Sequence, residues 1–253
     1  MSSGLEYRSI VAEEIKLEEW IQPEHLSRNA IQQCRHAFWS HPLRVTVLKQ
    51  FLLDEAADRL SRFLSREAVF KRIYGLYSSA NRDGNISDVA EEEWLAVEES
   101  RRFYRFGDYD SVRDEFRSSS NFAAFQDFAA LTRSQTFRKY AERITGLAFG
   151  DTVLLNAYSY EAGDFLSLHS DNVKEKRLSF VFYLTPQWES RFGGGLEIMG
   201  FEGGHLEIEP EYNSLAIFDV AARTEHHITP VDASAGTLAR LTISGWLLKR
   251  DSA

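Results

Sequence analysis

The residues best equipped for chemistry lie in the C-terminal half of the chain. His169-Ser170-Asp171 comes first, His226-His227 follows, and Arg240 stands in an apolar stretch near the end. Two imidazoles and one carboxylate form a donor set that binds ferrous iron on one face and leaves the other positions open for substrates and dioxygen. A guanidinium inside an apolar strand needs an anion, and a dicarboxylate cosubstrate would supply one. Together these residues imply iron-dependent oxidation that consumes a dicarboxylic acid such as 2-oxoglutarate.

Each residue also has a plainer reading. His169 and Asp171 are two apart, so on an extended segment both side chains project to one side; alone, such a pair is common on protein surfaces. His226 and His227 are neighbours, so on a strand at most one of them reaches a metal. Arg240 lies in Ala239-Arg240-Leu241-Thr242-Ile243-Ser244-Gly245-Trp246-Leu247-Leu248. Period-two alternation sets Leu241, Ile243 and Leu247 on one face and Arg240, Thr242, Ser244 and Trp246 on the other. A buried Arg240 must be paired, either with a protein carboxylate such as Asp219 or with the distal carboxylate of the cosubstrate. Tyr183 shares a face with Arg177, Ser179 and Val181, where its hydroxyl can serve the same anion or simply pack in a core. Gly193-Gly194-Gly195 lacks the Lys and Ser/Thr of a phosphate loop and reads as a hairpin turn. His25, His36, His41 and His205 show no partner pattern.

These residues need a scaffold, and its pattern changes along the chain. Residues 1–22 read as a loosely attached arm. Pro23 opens a helix to about Phe38, ended by His41-Pro42. Val45–Leu48 is a short strand. Asp54 reads as the N-cap of a helix bearing Ala56, Ala57, Leu60, Phe63 and Leu64, and Val69–Tyr77 is a strand. Residues 78–114 hold a turn signal at Asn81-Arg82-Asp83-Gly84-Asn85 and the acidic run Glu91-Glu92-Glu93. Part of this stretch reads as a long functional loop or lid, or else the stretch is a solvated helix with an irregular tail. Arg101, Arg102 and Arg105 within them form a solvated basic face or bind a substrate carboxylate. Phe122–Leu131 and Ser134–Thr145 are two helices, the second stopped by Gly146. From Asp151 onward short strands take over, at Thr152–Tyr158, Arg177–Leu184, Leu196–Met199, Ser214–Phe218 and Ala239–Leu248. Helices first and strands later imply an α+β fold, with helices buttressing an antiparallel barrel or sandwich.

Composition narrows the function classes. The 253 residues are 43% hydrophobic, enough for a packed core, and 18 Phe and 10 Tyr favour sheets. The net charge is -9 and the Lys and Arg are scattered, which argues against binding a phosphate backbone, so no nucleic-acid partner is expected. No run approaches the ~20 apolar residues of a membrane span, and none resembles a signal peptide. The single cysteine, Cys34, cannot form an intramolecular disulfide and reads as a small apolar helix residue. The expected location is cytoplasmic.

Taken in order, Tyr160, Gly163, His169-x-Asp171, Arg177-Leu-Ser-Phe-Val-Phe-Tyr183-Leu, Gly194-Gly195-Leu196, His226-x-Ile228-x-Pro230-Val231 and Arg240-Leu-Thr-Ile-Ser-Gly245-Trp246 resemble the prolyl-4-hydroxylase-like 2-oxoglutarate/Fe(II) dioxygenases. The resemblance covers about residues 150–250. More loosely, Phe51-Leu52, Tyr74–Tyr77 and the Phe-rich helices resemble the front of the ribosomal-protein prolyl hydroxylase branch, whose second, degenerate barrel would not fit in a chain this short. The resemblance implies a double-stranded β-helix (jelly-roll) barrel buttressed by N-terminal helices. The whole chain, 1–253, then forms one domain, with helical and lid elements at about 23–146 and a metal-binding barrel core at about 150–250. It assigns Fe(II) to His169, Asp171 and His226, preferring His226 because Ile228 and Val231 then fall at the family's offsets. Arg240 and Tyr183 hold the C5 carboxylate of 2-oxoglutarate, and Tyr160 lines the cosubstrate pocket. The stretch between His226 and Arg240, including residues 232–237, is longer than in short family members.

The implied reaction hydroxylates an unactivated C–H bond and releases succinate and CO2, with ascorbate as an accessory reductant. Asp171 favours hydroxylation over halogenation, because related halogenases lack this carboxylate. The substrate is a prolyl residue of a protein or peptide, or an amino-acid-derived small molecule. Two rivals make different demands. A non-catalytic cupin-like sensor module would lack a ligand or the anchor, and a zinc hydrolase would have no use for Arg240.

Overall fold

A layer of helices covers one face of a curled antiparallel sheet. The protein is described by a computed structural model over residues 16–78, 85–112, 118–173, 175–222 and 224–250. In chain order the elements are α1 (Pro23–Leu26), α2 (Arg28–Ser40), β1 (Val45–Leu48), α3 (Asp54–Arg66), β2 (Phe70–Tyr77), β3 (Ile86–Val89), α4 (Glu91–Leu95), β4 (Arg102–Tyr109), α5 (Ser120–Arg133) and α6 (Gln135–Thr145). They continue with β5 (Phe149–Tyr160), β6 (Phe165–His169), β7 (Lys176–Tyr183), β8 (Leu196–Gly200), β9 (His205–Ile208), β10 (Ser214–Asp219), β11 (Thr224–Ile228) and β12 (Arg240–Lys249).

Local chemistry sets the helix ends. The Ser27 hydroxyl accepts from Ala30 N, splitting the first expected helix into α1 and α2. Ser119 and Ser134 cap α5 and α6 in the same way, and Gly146, at φ +73°, ends α6 in the left-handed region. Asp54 is the first residue inside α3 rather than its N-cap; there its charge, with that of Glu55, meets the positive end of the helix dipole.

The sheet runs β1-β10-β7-β12-β5-β4 and then turns through β6-β11-β8-β9, with β2 and β3 extending it from β4. All pairings are antiparallel. The curl folds the second run of strands over the first, which is the jelly-roll geometry. Alternation decides what each face does. Leu178, Phe180 and Phe182 of β7 and Leu241, Ile243 and Leu247 of β12 pack outward on Phe128, Phe137 and Tyr140 of the helices. Each such fully buried side chain stabilises the fold by roughly 1.5–3 kcal/mol. The opposite face of the same strands, with Val181, Tyr183 and Trp246, turns into the barrel, where Leu196, Ile198 and Phe218 meet it.

Residues 78–114 depart most from expectation. The turn signal at 81–84 lies outside the described residues, but the strands on either side of it pair, Tyr77 with Ile86 and Tyr74 with Val89. The described part of the segment is therefore not a long loop, and the helix expected there shrinks to the short α4 (Glu91–Leu95). That part is a β-meander: β3 and β4 flank β2, and the acidic run forms the first turn of α4. The basic residues there serve the fold. Arg101 Nη2 donates to Tyr77 O, Arg102 lies over the Trp94 ring and donates to three carbonyls, and Arg105 Nε donates to Asp164 at 2.8 Å. Nor is the described part of the N-terminal arm loose, since Ile21 is fully buried and bridges Leu52. The strands β6, β9 and β11 were not separately expected, being short and half polar.

Candidate metal centre and anion pocket

His169 ends β6, and His226 sits directly across from it on β11. Strand alternation decides between the two adjacent histidines. Thr224, His226 and Ile228 are buried toward the barrel, whereas His227 faces outward with Nε2 3.6 Å from Glu197 Oε2. Asp171 follows β6 in a tight turn closed by Val173 N to Asp171 O and Asn172 N to Ser170 Oγ. The ligand atoms of His169, Asp171 and His226 all lie within 4.8 Å of one another, and among the described residues no other group of three such side chains does so.

The protonation states suit ligation. His169 Nδ1 is 2.9 Å from Ser167 O. A carbonyl only accepts, so Nδ1 carries the proton and Nε2 keeps its lone pair for a metal. Burial, joined by the neighbouring His226, lowers the His169 pKa to about 4. Burial alone would raise the Asp171 carboxyl, but the close approach of His226, with Lys176 and His169, outweighs it and holds the acid well below the usual range. A neutral imidazole beside an ionised carboxylate is the form that binds a divalent ion. His226 Nε2 is 3.5 Å from Asp171 Oδ2, too long for a good hydrogen bond but suited to two ligands that share one ion at ~2 Å.

Two further side chains reach Asp171. Lys176 Nζ donates to Oδ1 at 2.8 Å, and Trp246 Nε1 donates to Oδ2 at 2.7 Å. Neither was singled out from the sequence. Trp246 was legible as an aromatic on the Arg240 face, but nothing in the spacing pointed to Lys176.

Arg240 opens β12 on the same barrel-facing side as Trp246. It is 1% exposed, with the rings of Tyr160 and Tyr183 each 5.0 Å from the guanidinium carbon. Its cross-strand partner is Tyr160. Asp219, the protein carboxylate considered as a partner, pairs instead with Arg177 at 3.0 Å. Among the described residues Arg240 has no ion pair, and neither its Nε nor the Tyr183 hydroxyl has a hydrogen-bond partner. Burial raises the pKa of both phenols, against the pull of Arg240, so both stay neutral. A buried cation beside an idle hydroxyl donor is a pocket shaped for an anion.

The Gly193-Gly194-Gly195 run is not a hairpin turn, because β7 and β8 are not neighbours in the sheet. It carries the chain from one side of the barrel to the other, past the pocket. A Cβ on Gly194, whose φ is +70°, would stand 3.0 Å from Arg240 Cδ, so a side chain there would press on the anchor. The long stretch before β12 is closed by a single 3-10 turn at Ala233–Ala235, capped by Asp232.

Residues 155–248 match the sequence profile of the 2OG-Fe(II) oxygenase superfamily. The chain is also similar to curated prolyl hydroxylases. Over 118 residues, 44% of this chain, it is 30% identical to prolyl 3-hydroxylase OGFOD1 of Xenopus laevis. Over 132 residues, 47% of this chain, it is 32% identical to prolyl 3-hydroxylase sudestada1 of Drosophila melanogaster. These alignments span only 23% and 24% of the two relatives' lengths. Among solved structures, a Pseudomonas putida prolyl-4-hydroxylase superposes with a TM-score of 0.55 at 19% identity, covering 87% of this chain and 100% of that one. A Trichoplax adhaerens prolyl hydroxylase, in complex with a hypoxia inducible factor oxygen degradation domain peptide, gives a TM-score of 0.55 at 14% identity and covers 88% and 94%. At these identities the structures speak for the jelly-roll fold.

Proposed function

We propose that the chain is a 2-oxoglutarate- and Fe(II)-dependent hydroxylase acting on a prolyl residue of a polypeptide. The observation that carries this reading is the buried, carboxylate-free Arg240 on the barrel face whose other end, Trp246, touches the His169–Asp171–His226 group. Fe(II) with 2-oxoglutarate, when bound, couples oxidative decarboxylation to hydroxylation of an unactivated C–H bond. His169, Asp171 and His226 would hold the metal and leave one face of it open. Arg240 would take the distal carboxylate of 2-oxoglutarate as a bidentate pair, and the Tyr183 hydroxyl would donate to the same group. Tyr160 walls the pocket and, with its phenol neutral, adds no competing negative charge. Phe106, stacked on Tyr160 at 5.0 Å, and Ile228 and Val231 close this end of the barrel to water. Excluding water strengthens the pairing of Arg240 with its anion.

The polypeptide substrate is supported by the nature of the relatives and by the rim. Val173 beyond Asp171 and Leu154 across from Trp246 are apolar and 49% and 45% exposed. An apolar rim around a metal centre suits a proline ring better than a charged free amino acid. We also infer that the described residues work as one oxygenase domain and that the setting is reducing and cytoplasmic, with Cys34 buried and its thiol pushed up to about 11 by burial. No described helix is long and apolar enough to cross a membrane. A cupin-like sensor would be expected to lack a ligand or the anchor, whereas this chain carries His169, Asp171, His226 and Arg240.

Anaerobically purified protein given Fe(II), 2-oxoglutarate, air and prolyl peptides tests the reading. Succinate formation by the wild type, abolished in His169→Ala and Arg240→Ala, is expected. Succinate formation that persists in both variants would overturn it.

A further inference from the structure

Asp171 offers a metal two oxygens, and the structure treats them differently. Oδ2 faces His226 Nε2 at 3.5 Å and accepts from the Trp246 indole at 2.7 Å. Oδ1 accepts from the Lys176 ammonium at 2.8 Å. The ammonium lies 3.6 Å from the centroid of the Trp246 ring, and the Lys176 side chain is only 19% exposed. Lys176 opens β7 just past the turn that carries Asp171, and its backbone N–H bonds Val173 O at 3.2 Å. The indole thus performs two tasks: its N–H fixes Oδ2, and its face holds the cation that fixes Oδ1.

We propose that Lys176 is a positioning residue that keeps Asp171 a one-oxygen ligand. This rests on the function proposed above. A carboxylate with both oxygens free can chelate an ion through both. Chelation by Asp171 would occupy one of the three positions that a facial triad leaves open, and a cosubstrate that binds the metal through two atoms with its far end anchored at Arg240 would have to displace that second oxygen. With Oδ1 held by a charge-assisted bond to Lys176, only Oδ2 remains directed at the metal. The arrangement has a cost, because an ammonium close to a metal ion repels it. Lys176 therefore trades metal affinity for an open position.

That trade gives a signature a purely structural lysine would not produce. The test uses Co(II), which supports binding without turnover, titrated into full-length protein under argon, followed by titration of 2-oxoglutarate into the Co(II)-loaded protein. In Lys176→Met and Lys176→Gln the Co(II) Kd should fall about tenfold while the 2-oxoglutarate Kd rises about tenfold, the lower end of effects seen for groups just behind metal ligands. Lys176→Arg, which keeps the charge and the donor, should restore both. Reading two uncharged variants guards against one failing to fold. Weaker Co(II) binding in the folded variants, or unchanged 2-oxoglutarate binding, would overturn the proposal while leaving the oxygenase reading intact. Failure of the wild type to bind either Co(II) or 2-oxoglutarate would remove the oxygenase reading and this inference together.

Discussion

Burying a guanidinium without a counter-charge costs several kcal/mol, and Arg240 bears that cost with no carboxylate beside it among the described residues. The chain alone therefore gains nothing from the charge. Replacing Arg240 with Met should leave the melting temperature of the ligand-free protein unchanged or raise it, while abolishing the rise that 2-oxoglutarate and Co(II) give the wild type. A drop of the size that follows breaking a buried pair, about 3–5 kcal/mol, would mean that Arg240 has a protein partner. Trp246→Phe keeps the ring under Lys176 but deletes the donor to Oδ2, so Co(II) affinity should weaken about tenfold; unchanged affinity in that variant would remove the indole from the site. At this scale the sequence was informative where spacing encodes geometry. His169 and Asp171 are two apart, and alternation separates Arg240, Thr242 and Trp246 from Leu241 and Ile243. Lys176 was hidden because its contact depends on how the turn after Asp171 folds back, and no periodicity reports that.

Elements hold these residues in register, and two contacts between elements carry testable weight. Asp164, fully buried after β5, accepts from Arg72 on β2, from Arg105 on β4 and from Glu161 N at 2.8 Å. It ties the β2–β4 meander to the strand pair that leads to His169. Asp164→Leu strands two guanidinium groups, and chemical denaturation should show a loss of about 3–5 kcal/mol; a loss under 1 kcal/mol would contradict this role. Asp108 on β4 accepts from Asn156 on β5. Burial, together with the charges of Asp110 and Asp88, raises its pKa to about 6 from 3.8. Its folded pKa exceeds its unfolded one, so its contribution is fully present below about pH 4 and is lost as pH rises through 6. Asp108→Asn should remove that slope and make the protein about 1 kcal/mol more stable than wild type at pH 8, the figure discounted for partial exposure. Denaturation curves at pH 4 and pH 8 would check it, and an equal pH dependence in both proteins would contradict it. The amphipathic helices and the apolar strands β7, β10 and β12 were legible because their patterns span several turns or alternations. The β3–β4 meander was not, because Glu91, Glu92 and Glu93 with Arg101, Arg102 and Arg105 mask two short strands in charge. Arg105 is explained by a partner distant in sequence, Asp164, and Arg102 by the Trp94 ring and the carbonyls beside it.

The whole molecule is a jelly-roll whose helical layer and barrel share strands β5, β7 and β12. Their outer face makes the core with α3, α5 and α6, and their inner face makes the site. Metal and cosubstrate bound inside should stabilise both layers at once, by about 2.7 kcal/mol at a hundredfold excess over Kd. Helical circular dichroism and tryptophan fluorescence should then report one coincident transition that shifts as a unit. The fold class was legible from the change of pattern near residue 150, while the closing of the sheet through β4 onto β6 depended on pairings too distant for any local signal. Equilibrium binding of 2-oxoglutarate under argon, with and without Co(II), decides whether this barrel couples a metal centre to an anion pocket for 2-oxoglutarate. One 2-oxoglutarate should bind per wild-type chain only when Co(II) is present, and none in His169→Ala or Arg240→Met. Binding that needs no metal, or metal-dependent binding that survives Arg240→Met, would contradict that coupling.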